Sequence, residues 1–127
     1  MKKLYALLFG ILPLSAAASA ATFVDQSHFL VDTADDLVIL CSAGPDDPHQ
    51  EQALSFCLGY VTGAYHYHLK STGGPAGKGF VCVPDPAPSR NEAVASYVAW
   101  MGEHPDLKQQ DAVDTLFQWA ANQYPCP

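Results

Sequence analysis

Four cysteines, Cys41, Cys57, Cys82 and Cys126, follow an N-terminal stretch laid out like an export signal. No other feature restricts the fold as much, because cross-links dictate which segments must lie side by side. Lys2 and Lys3 give a positive start. Residues 4–14 are apolar except for the breaks at Gly10 and Pro13, and Ala18-Ser19-Ala20 supplies small residues at an A-x-A cleavage site. The layout predicts a secretory signal peptide over residues 1–20, with an apolar run too short to span a bilayer. It points to export across an inner membrane into the periplasm. No cysteine lies near the cut, so no lipid anchor on the new N-terminus is expected. Exported chains meet oxidising conditions, and an even cysteine count there reads as two disulfides.

Residues 21–127 suit a single domain whose core is modest for its surface. The formal charge is −7, and cleavage would remove Lys2 and Lys3, making the remainder more acidic. Such a surface repels nucleic acid and anionic lipid, so neither is expected as a partner. A basic protein partner fits it, although acidity also serves solubility alone. No later stretch is long and apolar enough for a transmembrane helix.

Breakers divide the remainder into four helical segments after an irregular lead-in over residues 21–32, anchored by Phe29, Leu30 and Val31. Thr33 is a cap for the first helix, and Asp35 and Asp36 suit the positive end of its dipole. Leu37, Leu40 and Cys41 face inward, and Gly44-Pro45 stops the segment. The second helix, residues 49–70, carries Ala53, Phe56, Cys57, Tyr60, Ala64 and Tyr67 at three- and four-residue steps, which predicts its buried stripe. Gly59 and Gly63 each cost about 1 kcal/mol against alanine inside a helix, so close packing of another backbone is expected there. Phe80–Val83 reads as a short extended segment. Ser89 and Glu92 form a capping box for the third helix, which buries Val94, Tyr97, Val98 and Met101. The fourth runs from Gln109 or Asp111 to Gln123 with Val113, Leu116, Phe117, Ala120 and Tyr124 inside. The expected fold is all-α, a small four-helix arrangement of two αα-hairpins stapled by disulfides.

Four cysteines permit three pairings, and sequence alone does not choose among them. Hairpin geometry favours Cys41–Cys57, which bracket the first turn, and Cys82–Cys126, at the open end of the second hairpin. Those loops are worth about 3 and about 4 kcal/mol on the chain-entropy scale. The pairing Cys41–Cys126 with Cys57–Cys82 is the rival.

Catalytic constellations are weak. His66 and His68 stand two apart on a helix, about 200° around its axis, so they do not share a metal. Paired cysteines offer no thiolate nucleophile. Asp35-Asp36 and Asp46-Asp47 suit a helix start and a turn. No phosphate-cradling glycine loop, nucleophile elbow or zinc spacing is present. The expectation is a protein that is not an enzyme and uses no cofactor or metal. Trp100 and Trp119, each beside a core stripe, and Tyr65, one step off the inner face of the second helix, suit either a protein interface or the rim of the core.

The ordered segments FCLGYVTGAY (56–65), FVCVP (80–84), YVAWMGEHPDL (97–107) and YPCP (124–127) resemble the Rap/Tai family of type VI secretion immunity proteins. The resemblance covers the chain from about Leu37 onward and rests on scaffold residues: cysteines, helix glycines and core aromatics. It implies a small periplasmic helical protein, commonly a homodimer, that binds and occludes a peptidoglycan amidase effector with a papain-like Cys-His site. The scaffold residues do not locate the toxin-facing surface. Exposed turns around Asp46-Asp47-Pro48, residues 73–78 and His104 to Lys108, with Asp106 among them, are the candidate contacts, together with Tyr65, Trp100 and Trp119. Two other classes compete. A periplasmic acid-stress chaperone would exploit five histidines and thirteen carboxylates. A small-ligand carrier would need an apolar pocket that a modest core leaves little room for.

Overall fold

The computed structural model describes residues 22–73 and 78–127. The expected signal peptide, and the part of the 73–78 turn at residues 74–77, lie outside the described residues. Among the described residues there are four α-helices: α1 (Ala34–Cys41), α2 (Gln50–Ser71), α3 (Arg90–Glu103) and α4 (Ala112–Gln123). None of them is long and apolar enough to cross a membrane. The two hairpins, α1–α2 and α3–α4, share one core. The shortest helix, α1, packs against all three others, with Leu37 and Leu40 fully buried on it.

Local capping chemistry explains the starts of α1, α3 and α4. Thr33 Oγ1 accepts from the Asp36 amide, and the Asp36 carboxylate accepts from the Thr33 amide at 2.9 Å. Ser89 and Glu92 repeat the reciprocal arrangement on α3, and Asp111 Oδ1 accepts from the Val113 amide on α4. These bonds satisfy N–H groups that a helix start otherwise leaves open. Two more are met from a distance. The Ala34 and Asp35 amides donate to the carbonyls of Gln110 and Lys108, so the α3–α4 connection is tied to the start of α1. At the other end of the chain's longest helix, Gly73 takes a left-handed φ of 86° just past α2, the conformation in which glycine ends a helix without a Cβ clash.

The expected disulfides Cys41–Cys57 and Cys82–Cys126 are both formed, which excludes the rival pairing. The first joins α1 to α2. The second joins the extended segment after α2 to the C-terminus, where Val81 and Pro125 form an antiparallel bridge and the Cys82 amide donates to the Tyr124 carbonyl.

Three expectations about packing are corrected. The lead-in contains a 3-10 turn, Gln26–Leu30, capped by Asp25. Val31 leaves it at φ 53°, an uncommon conformation for a β-branched residue, held by burial of its side chain. Leu30 is exposed and anchors nothing. On α2, Phe56 and Tyr67 are 38% and 75% exposed, whereas His68 is 5% exposed. The buried stripe is Ala53, Cys57 and His68, rotated by roughly 40° around the helix from the expected one. The bond from Cys57 to Cys41 sets that rotation by turning Cys57 squarely onto α1.

The same rotation carries Gly59 and Gly63 outward. Among the described residues no atom beyond the helix's own backbone and chain neighbours lies within 4 Å of where a Cβ would stand at either position, so none of their backbone packs close there. The close approach occurs at Gly79 instead, where an added Cβ would stand 3.1 Å from His68 Nε2. Replacing Gly59 or Gly63 by alanine should therefore stabilise the monomer by about 0.5–1 kcal/mol each through helix propensity. Chemical denaturation at monomeric concentrations checks this; a loss of stability would show a hidden intrachain contact.

Candidate protein-binding surfaces

The residues singled out from the sequence divide into three places. At the α1–α2 turn, Asp46 is exposed but Asp47 is buried, which corrects its reading as a surface contact. The Asp47 carboxylate accepts from the Val24 amide at 2.7 Å and from the His49 amide at 2.8 Å. It clamps the lead-in onto the helical body. The Val24 amide, with the His49 amide behind it, holds this carboxyl below its ordinary pKa. A carboxyl depressed in the folded state adds stability at pH above its unfolded value, about 3.9, and loses it as pH falls through the lower folded value. Asp47→Asn should remove that acid-dependent part and speed exchange of the Val24 amide. An unchanged Val24 exchange rate would contradict the clamp.

At the end of α3, Trp100 and His104 are half-buried and stacked, with ring centroids 4.1 Å apart. His104 Nδ1 lies 2.7 Å from the Trp100 carbonyl. Asp106 follows, exposed, in the 3-10 turn Pro105–Leu107. Trp100, His104 and Asp106 thus share one corner. Trp119 does not join them. It is 4% exposed, packs edge-on against Tyr97 and Tyr124, and donates from Nε1 to Ser96 Oγ at 3.3 Å. It belongs to the core, because α4 presents its edge to α3 rather than to solvent.

The third place is a cleft of about 250 Å³ between α2, the segment 81–88, the start of α3 and α4. Buried Val81, Leu116, Trp119 and Ala120 form its floor, and half-buried Tyr65 and Val61 line its α2 wall. Exposed His66 and Arg90 lie at its rim. A second apolar hollow of about 560 Å³ lies over the Cys41–Cys57 bond. Leu58 and Val94 line both, so the two hollows lie side by side along the α2–α3 groove. His68 lies behind Phe117 and Phe80, with centroids 5.2 and 4.6 Å from its ring. Its Nε2 has no hydrogen-bond partner among the described residues.

Sequence reasoning missed two surfaces. The groove needs segments 81–88 and 112–124 brought together by the second disulfide, for which no local signal exists. The outward face of α2 carries Phe56, Gly59, Gly63 and Tyr67. Its signal was present: a stripe with two glycines and two aromatics is ambiguous between core and interface.

The arrangement offers recognition surfaces. Among the described residues no three His, Cys, Asp or Glu side chains group as metal ligands, and all four cysteines are bonded. The family model of the Rap1a immunity proteins matches residues 33–126. No curated protein and no solved structure matches the chain.

Proposed function

The chain belongs to the Rap1a immunity protein family, and from that premise we propose that it protects its producer by binding and occluding a peptidoglycan amidase effector of a type VI secretion system. The observation that carries this is the family match, which spans nearly all of the described helical body. The setting is the periplasm, reached through the cleavable leader over residues 1–20, with residues 21–127 forming the binding domain. Two disulfides suit that oxidising compartment.

Inhibition is steric and uses no catalytic group of the chain's own. The exposed corner of Trp100, His104 and Asp106, the turn at Asp46, and Tyr65 on α2 are the surfaces offered to the effector. A stacked aromatic pair beside a carboxylate supplies rigid contact area at small entropic cost. The acidic surface speeds encounter with a basic patch around the effector's groove. The active form is a homodimer, and the exposed α2 face with Phe56, Gly59, Gly63 and Tyr67 is the surface offered for an isologous contact.

Periplasmic co-expression with candidate amidases tests the reading. Rescue from lysis, and a complex weakened about ten-fold or more by Trp100→Ala with His104→Ala, are expected. Absence of both rescue and complex with every amidase tried would reject it.

A further inference from the structure

The cleft described above has a composition that immunity does not require. Its floor is apolar and buried, and no aspartate or glutamate lines it, in a chain with 13 acidic residues. Arg90 is the one permanently charged residue of the lining, and it is ion-paired with no carboxylate among the described residues. A cavity of roughly 150 Å³ lined by apolar groups takes one benzene ring. The cleft, at about 250 Å³, takes a body somewhat larger than that and smaller than a drug-sized ligand. We propose that this cleft binds a small amphiphilic carboxylate, its hydrocarbon body over Trp119 and Leu116 and its carboxylate paired with Arg90.

Each part of that ligand follows from the lining. The floor removes apolar surface from water without offering hydrogen bonds, so it selects a hydrocarbon body. Arg90 at the rim presents a planar fork that matches a carboxylate, and no carboxylate of the lining competes for it. Arg90 also opens α3, where the positive end of the helix dipole adds to its charge. A cationic or neutral head leaves the guanidinium unanswered.

Trp119 on the floor is a built-in reporter. The full mature chain carrying Trp100→Phe, which leaves Trp119 as its single tryptophan, would be titrated with sodium octanoate below its micelle concentration. Saturable change in Trp119 emission is expected. Octanol and octyltrimethylammonium should bind about ten-fold more weakly. Arg90→Ala should weaken octanoate about ten-fold and leave octanol unchanged, and Arg90→Lys should recover part of the loss. Thr62→Phe, which fills the α2 wall of the cleft, should abolish binding while the thermal melt stays cooperative. Non-saturable quenching, equal affinity for the three head groups, or undiminished binding to Thr62→Phe would each overturn the proposal. So would finding that Thr62→Phe abolishes an effector complex while octanoate never binds, which would assign the cleft to a protein side chain.

Discussion

Replacing Cys82 and Cys126 by serine is expected to cost about 4 kcal/mol of stability, the chain-entropy value for a loop of this length. The two residues are 44 apart in sequence, against 16 for Cys41 and Cys57, whose loss is worth about 3 kcal/mol on the same scale. A domain of this size has roughly 5–15 kcal/mol in total, so either change removes a large share. The loss is also structural. The Val81–Pro125 bridge and the Cys82–Tyr124 hydrogen bond close the wall of the cleft beside this disulfide. Reduction should follow a fixed order. Cys82 is exposed, whereas Cys57 is fully buried, so mild reductant should open Cys82–Cys126 while Cys41–Cys57 survives in the folded chain. Alkylation with mass analysis reads that order, and denaturant melts read the stability. First reduction at Cys41–Cys57 would contradict the packing described.

Tyr97→Ala should be the most damaging single core substitution, at about 3–5 kcal/mol by comparison with other aromatic truncations. Tyr97 is fully buried and is the largest such side chain among the described residues. It lies edge-on to Trp119, and its hydroxyl is 3.0 Å from Thr115 Oγ1. Thr115 Oγ1 already donates to the Ala112 carbonyl, so its proton is committed and Tyr97 must be the donor. Tyr97→Phe keeps the ring and loses that one bond, at about 1 kcal/mol. The difference between the two variants separates packing from hydrogen bonding. Burial raises the Tyr97 pKa above its ordinary value. A group raised in the folded state adds stability below its unfolded pKa, near 10, and loses it as pH rises toward the folded value. Alkaline unfolding should therefore be less steep in Tyr97→Phe than in the parent chain.

Much of the architecture was legible because it rests on short-range chemistry. The caps at Thr33 and Ser89, the stop at Gly44-Pro45, and the extended Phe80–Val83 segment depend on neighbours a few residues away. The disulfide preference followed from where helix ends must lie once two hairpins are assumed. The face of α2 was less legible. Steps of three and four residues describe several overlapping stripes on a 22-residue helix, and no local signal marks which of them is buried. Nothing local to His68 tells a packed ring from a surface one, and only the fold places it between Phe80 and Phe117. Asp46 and Asp47 are indistinguishable as a dipeptide. Only the fold brings the Val24 amide to one of them. Trp100 and Trp119 each flank a stripe, and only the angle between α3 and α4 exposes part of one and buries the other.

The sequence by itself determined four helices with their breaks, an even set of cysteines that all pair, and an acidic composition. Tertiary structure alone decided which side of α2 meets solvent, which carboxylate is clamped, and where a groove opens. Caps and turns are settled within one helical turn of chain. Facing, burial and cavities depend on where distant segments come to rest, and here two disulfides and the central position of α1 hold them.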